Sequence, residues 1–295
     1  MALRVGLIGL GIMGSAYAAH LIDAGFAPSA YDVDAAAIDR FRNRGGNAVA
    51  SAKAVAANSD VVIVALAHPN AIESALFGKD GLAAGIAPQT IVLEVGTFSL
   101  ELKESVRERL GKLGAIVLDA PVSGTGSQAQ TKDLVFFVSG DRDAFERARP
   151  VLDAVARDVR YVGAFGNGSK LKYIANLLVT IHNLSTAEAL VLAERSGIDP
   201  ATVLDVLGES AAASRMMQVR GPMMVEHRYE PPTMRLEVYQ KDIEIIDEFA
   251  KALDCPTPLF SASIPYYARA LAEGRGKQDT AAIVTVLRQA AGLTE

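Results

Sequence analysis

Short apolar runs alternate with helical patterns along the first half of the chain. The runs Arg4–Ile8, Ser29–Tyr31, Val61–Leu66, Ile91–Glu94, Ile116–Asp119, Val135–Ser139 and Val159–Val162 are rich in β-branched residues and apolar on both faces. Strands without a polar face are those covered on both sides, so these runs predict a mostly parallel, buried sheet. Helical spacing fills the segments between them, as in Gly14–Ala24 and Leu100–Leu113. This alternation predicts a doubly wound α/β domain. The pattern changes near Gly163. A long helix is predicted from Ser169 to about Ser196, closed by Gly197, a residue suited to a helix C-terminus. Further helices are predicted over Pro200–Leu207, Met216–Val225, Leu236–Leu253, Leu259–Ala272 and Thr280–Ala290. Several are apolar over much of their circumference, which predicts helix-on-helix packing and a subunit interface. The domains are therefore expected to be 1–163 (α/β) and 164–295 (all-helical), without internal repeats.

The length of 295 residues suits two domains. A net charge of −5 argues against a broad nucleic-acid or membrane-surface role, while leaving room for a local basic pocket. The one cysteine, Cys255, excludes an intramolecular disulfide and reads as a small buried apolar residue. Met1-Ala2-Leu3-Arg4 runs straight into a short strand, unlike a signal peptide, and no apolar stretch reaches the roughly 18 residues of a membrane span. A soluble, cytoplasmic protein is expected. His20, His68, His182 and His227 are dispersed, so no metal site is expected. His68 reads as an exposed loop residue and His182 as a packing or interface residue.

Immediately after the first strand comes Gly9-Leu10-Gly11-Ile12-Met13-Gly14, with a helix starting near Ile12. The order strand, glycines, helix gives the motif its meaning. Gly9 permits a tight turn, Gly11 lets backbone approach a pyrophosphate, and Gly14 lets the helix pack close to the strand. Backbone N–H groups and the positive helix end then hold the anion. Asp32 closes the second strand, 18 residues beyond Gly14. A carboxylate there accepts hydrogen bonds from the adenosine ribose and repels a 2′-phosphate, which predicts NAD over NADP. The competing reading of Asp32 is a helix N-cap.

Three more motifs follow: Asp119-Ala120-Pro121-Val122-Ser123-Gly124; Gly166-Asn167-Gly168-Ser169-Lys170-Leu171-Lys172-Tyr173-Ile174-Ala175-Asn176; and Lys241-Asp242-Ile243. With the glycine loop, these four in this order resemble the β-hydroxyacid dehydrogenases. That family includes 3-hydroxyisobutyrate dehydrogenase and tartronate semialdehyde reductase and is related to 6-phosphogluconate dehydrogenase. The resemblance covers nearly the whole chain. It implies a Rossmann-like N-terminal domain, an all-α C-terminal domain joined to it by a long helix, and a cleft between them for nicotinamide and substrate. It also implies reversible oxidation of a small 3-hydroxy acid to its aldehyde or ketone. The apolar C-terminal helices predict a homodimer or homotetramer.

Lys172 matches the family's catalytic lysine. A positioned amine takes the hydroxyl proton in oxidation and returns it in reduction; read alone, Lys172 is also an ordinary solvated lysine. Asn176 lies one helical turn on, on the same face, where its amide suits a substrate oxygen. Ser123 and Gly124 match the family's carboxylate anchor, since a hydroxyl and exposed N–H groups suit a carboxylate. Thr125 joins them as a substrate contact that narrows the site or adds a hydroxyl. The chain departs from the family's glycines at Thr125 and Lys132, and from its second amide at Ala175. Thr97 resembles the contact to the nicotinamide ribose, Leu66 and Ala67 are expected to touch the cofactor through backbone, and Lys241 is expected on the nicotinamide side, with Asp242 as a brace. Arg215 and Arg220 lie where an anionic substrate group is approached in the family, although each also reads as a surface arginine.

Two other functions compete. Imine reduction uses a similar fold, but such enzymes generally lack the lysine. A non-catalytic dinucleotide-binding module is disfavoured by Ser123, Lys172 and Asn176 together. Decarboxylating sugar-phosphate dehydrogenases carry a longer helical domain.

Overall fold

The computed structural model describes residues 3–293. Residues 1, 2, 294 and 295, which include the Met1-Ala2 start and the outer limits of both expected domains, lie outside the described residues. The chain forms two compact units, Met1–Lys172 and Tyr173–Glu295.

The first unit is built on six strands: β1 (Val5–Ile8), β2 (Ser29–Tyr31), β3 (Asn47–Ala48), β4 (Val61–Val64), β5 (Ile91–Glu94) and β6 (Ile116–Asp119). All pair in parallel, in the order β3-β2-β1-β4-β5-β6. This is the order of a doubly wound nucleotide-binding sheet. Interleaved are α1 (Ile12–Asp23), α2 (Ala35–Asn43), α3 (Ala52–Ala57), α4 (Pro69–Phe77) and α5 (Leu100–Gly111). Strand alternation explains the two apolar layers. Val5, Leu7, Val61, Ile63, Ile91 and Leu93 pack with Tyr17 and Leu21 of α1 on one face. Ile8, Val62, Val64 and Val92 pack with Val55, Leu76 and Leu110 on the other. Both faces are buried, so the runs read as continuously apolar.

The last strands do not continue this sheet, contrary to the single-sheet expectation. β7 (Val122–Ser123), α6 (Gly126–Gln130), β8 (Val135–Val138), α7 (Arg142–Val155) and β9 (Asp158–Tyr161) form a separate sheet of order β7-β8-β9. β7 and β8 are antiparallel, and an Asp119–Ser139 bridge links this sheet to the end of β6. Lys132, at φ +61°, turns the chain back after α6. The short return favours an antiparallel pair, because a parallel neighbour needs a longer crossover.

The helix α8 (Asn167–Arg195) starts in the first unit and runs into the second. Gly197, at φ +82°, ends it, and Ile198 N–H returns to the Ala193 carbonyl at 2.9 Å. The second unit continues with α9 (Pro200–Leu207), α10 (Arg215–Val225), α11 (Leu236–Ala252), α12 (Pro258–Ala272) and α13 (Ile283–Ala290). The stretch expected as one helix from Thr280 begins instead with a 3-10 turn, Thr280–Ala282, whose Ala281 N–H is held by Asp279. By length and mean hydropathy α8 also suffices to cross a membrane, a property hidden from a search for unbroken apolar runs by its Asn, Thr and His residues. Its Asn183 amide donates to Tyr267 and to the Thr280 carbonyl inside the second unit, as in a helix packed in protein.

Candidate active site

The glycine loop joins β1 to α1, and its glycines differ in what they face. Gly9 has φ +96°, donates its N–H to the Tyr31 carbonyl at 3.0 Å, and has no room for a side chain against the Ala65 carbonyl. Gly14 lies against the carbonyl of Gly9, where a side chain would collide. A Cβ on Gly11 meets nothing within 4 Å. The protein's own packing explains two glycines; the third leaves its backbone open to an approaching ligand. Ile12 and Met13 open α1, whose N-cap Gly11 offers no side-chain acceptor. The first-turn N–H groups are thereby suited to an anion.

Asp32 is bound into this loop. Its Oδ2 accepts from Leu10 N–H at 2.5 Å and its Oδ1 from Asp34 N–H at 2.8 Å. Asp34, not Asp32, caps α2, accepting from Ala36 N–H at 2.9 Å. Each Asp32 oxygen retains a lone pair for a ribose hydroxyl. A cleft of about 330 Å³ runs past Gly9, Tyr31, Asp32, Val33 and Leu66. The residues fit the adenosine half of a dinucleotide. Leu66 and Ala67 follow β4, and the exposed His68 precedes Pro69 of α4. Thr97 is half-buried just after β5; the preceding Gly96 N–H donates to Glu94 Oε1 at 2.9 Å.

Ser123 and Gly124 end β7 and open the loop to α6, with Gly124 at φ +139°. Thr125 is buried and engaged within the protein. Its N–H donates to Gln128 Oε1 at 3.1 Å, and its hydroxyl lies 2.9 Å from Ser127 Oγ. Gln128 Nε2 donates to Asp133 Oδ2 at 3.1 Å, and Asp133 Oδ1 accepts from Arg157 Nε at 2.7 Å. The loop is thus braced by side chains where glycines were expected. Lys132 keeps a left-handed conformation that glycine adopts more easily. Gln128 escaped the sequence reading; its only trace is the Thr-x-x-Gln spacing of a capping box.

Lys172 is half-buried on α8, and Asn176 is buried one turn later. Asn176 Nδ2 donates to Asp242 Oδ2 at 2.8 Å, and Lys241 Nζ lies 2.9 Å from Asp242 Oδ1. The Asn176 carbonyl accepts from Tyr239 and Thr180 hydroxyls at 3.0 and 2.8 Å. Burial pushes the Tyr239 phenol well above its ordinary range, so it remains a donor. One N–H and the oxygen of the Asn176 amide are left for other partners. Lys241 and Asp242 form a partly buried pair.

Arg220 matches neither sequence reading. It is fully buried, with Nε 3.3 Å from Asp279 Oδ1, while Asp279 Oδ2 accepts from Thr233 N–H, Thr233 Oγ1 and Met234 N–H. It is a structural ion pair. Arg215 is exposed and donates to Gln218 Oε1 at 3.3 Å. Cys255 is exposed, contrary to the buried reading: it follows the left-handed Asp254 in the turn after α11.

A second feature missed from sequence lies under the strand ends of the first unit. Lys103 Nζ, on α5, is 2.7 Å from both Glu94 Oε2 and Asp119 Oδ1, and all three side chains are at most 1% exposed. The signal was present: Glu94 and Asp119 are acids closing otherwise apolar strands, and two buried acids call for a cation.

Residues 4–163 match the family described as the NAD binding domain of 6-phosphogluconate dehydrogenase, and residues 166–287 that described as the NAD-binding of NADP-dependent 3-hydroxyisobutyrate dehydrogenase. An L-threonate dehydrogenase of Cupriavidus necator is 33% identical, over 97% of this chain and 96% of its own. An NAD-dependent L-serine dehydrogenase of Pseudomonas aeruginosa is 30% identical, over 94% and 95%. The crystal structure of a 3-hydroxyisobutyrate dehydrogenase from Salmonella typhimurium superposes with a TM-score of 0.89 at 32% identity, covering 97% of this chain and 100% of that one. An imine reductase from Pseudomonas sp. is more distant, at 16% identity and a TM-score of 0.63, and shares the fold. With both halves matched in order, the chain belongs to the β-hydroxyacid dehydrogenase family and is a nicotinamide-dependent hydroxyacid dehydrogenase.

Proposed function

We propose that this enzyme interconverts a small 3-hydroxy acid and its semialdehyde or keto form, prefers NAD to NADP, and uses Lys172 as the general acid/base. One observation carries the reading. The glycine loop, Leu66-Ala67, Thr97 and Ser123 follow the C-terminal ends of β1, β4, β5 and β6, and the start of α8 is hydrogen-bonded to the end of β6 through Asp119. Ligands of open parallel sheets bind at this edge. The cofactor, when bound, supplies the acceptor for the hydride leaving the carbinol carbon. In the protein, Gly9, Gly11, Ile12, Met13 and Gly14 hold the pyrophosphate, Asp32 the adenosine ribose, and Leu66, Ala67, Thr97 and Lys241 the remaining cofactor contacts. Ser123 and Gly124 anchor the carboxylate, and Thr125 shapes the wall behind it. The Lys172 amine takes the hydroxyl proton as the carbonyl forms and gives it back in reduction. Asn176 orients the reacting oxygen.

The names of the relatives, which act on L-threonate and L-serine, support a short, hydroxylated acid. The division 1–163 for cofactor and 164–295 for substrate and assembly goes with this reading. Exposed Ile174 and Leu178 on α8 support a homodimer or homotetramer. The exposed thiol of Cys255 suits the reducing cytoplasm. A panel of 3-hydroxyisobutyrate, 3-hydroxypropionate, glycerate, threonate, serine and sulfonated analogues, followed at 340 nm with each cofactor, tests it. NAD-linked turnover of at least one acid is expected. NADH binding with no turnover anywhere would leave a binding module, and faster reaction with NADP would overturn the cofactor assignment.

A further inference from the structure

The buried cluster around Lys103 ends on the backbone that carries the proposed chemistry. Asp119 Oδ2 accepts from Ser169 N–H at 2.8 Å and from Ser139 Oγ at 3.0 Å, and its Oδ1 accepts from Ser169 Oγ at 2.8 Å. Ser139 Oγ in turn accepts from Gly168 N–H at 3.0 Å. The first N–H groups of α8 have no partners inside the helix. A carboxylate from the end of β6 supplies one acceptor directly and a second through Ser139. On its other side Asp119 is held by Lys103, which also holds Glu94, and Glu94 fixes Gly96 N–H beside Thr97. One ammonium therefore ties the Thr97 loop to the first turn of α8.

We propose that Lys103 and Asp119 are positioning residues for Lys172, setting where the first turn of α8 holds its amine. This rests on the reading of Lys172 as the acid/base. Lys172 stands three residues after Ser169, about 4.5 Å further along the helix axis, so a tilt of that turn moves it directly. Misplacing a reacting group by about 1 Å costs on the order of 100-fold in rate. Buried ion clusters are poor stabilisers compared with apolar packing of the same volume. The contacts of this one converge on two functional backbone segments.

A double-mutant cycle tests the proposal. Asp119→Asn keeps the side chain's size but sets an amide against Lys103 and the Ser169 N–H. Its kcat is expected to fall on the order of 10- to 100-fold, with the KM for NAD unchanged. In a Lys172→Ala background the same substitution is expected to change the residual kcat by less than about twofold, because the residue it positions is gone. An equal loss in both backgrounds, or wild-type kcat in Asp119→Asn, overturns the proposal. Ser169→Ala removes one hydroxyl and leaves every buried charge in place, so the cycle can be run even if Asp119→Asn does not fold. A smaller loss confined to the Lys172 background is expected there, and equal losses overturn the proposal. Full turnover in Lys172→Ala alone is the distinct result that removes the acid/base reading itself.

Discussion

Among the described residues, each unit holds a fully buried ion cluster, and the two are built differently. In the first unit Lys103 faces two carboxylates, Glu94 and Asp119, whereas in the second Arg220 faces Asp279 alone. Burial pushes the Glu94 carboxyl up, with Lys103 pulling the other way. Burial lowers Lys103, but the two carboxylates outweigh it and raise its pKa. For Asp279 burial alone would raise the pKa, yet Arg220 and the N–H groups of Ala281 and Met234 outweigh it and hold it below the usual carboxylate range. The first cluster sets two acids against one cation and ends on Gly96 and Ser169. The second is balanced and ends on the turns at Thr233 and Ala281. On the proposal above, the same chemistry serves the site in the first unit and fold closure in the second.

Removing each cation separates these roles. Lys103→Met leaves two buried carboxylates unpaired and is expected to cost about 3–5 kcal/mol in urea unfolding, with a lower kcat in the molecules that remain folded. Arg220→Met orphans one carboxylate and is expected to cost about 3 kcal/mol, with kcat per folded molecule unchanged. Equal kinetic damage from both would erase the distinction. Acid sharpens it further. Because the folded pKa of Asp279 is depressed, its contribution is present above the unfolded value and is lost as pH falls through the folded one. Unfolding midpoints measured from pH 5 down to pH 2 are expected to drop less steeply in Asp279→Asn than in wild type.

Smaller effects test the cofactor edge and the surface. Asp32→Ala is expected to lower the NAD-to-NADP ratio of kcat/KM by about tenfold, equivalent to about 1.4 kcal/mol. It should also raise the KM for NAD, because Asp32 braces Leu10; an unchanged ratio would refute the ribose assignment. Cys255→Ser is expected to change stability by no more than about 0.5 kcal/mol. The native thiol is expected to react fully with Ellman's reagent, as an exposed cysteine should.

Features set by backbone demands were legible in the sequence. Gly9 and Gly14 are required by close packing, so the strand-glycine-helix order located the tight turn between β1 and α1. Helices α8 to α12 were readable from spacing, and the end of α8 from Gly197. Features set by side chains distant in sequence were not. Lys103 meets Glu94 and Asp119 across the fold, and a lysine on a helix reads as a surface charge until its neighbours are known. Likewise, the departure at Thr125 was visible, but its capture by Gln128 rests on the contacts through Asp133 and Arg157 that hold the turn. The split into two sheets was hidden because apolar runs look alike whichever sheet they join.

Lys172 is the residue on which the proposed chemistry turns. The direct measurement is Lys172→Ala, with NADH binding followed by fluorescence and hydroxy-acid oxidation at 340 nm over a range of pH. NADH affinity is expected to match wild type, while kcat falls on the order of 10²- to 10⁴-fold at every pH. Near-wild-type turnover with intact NADH binding would contradict it.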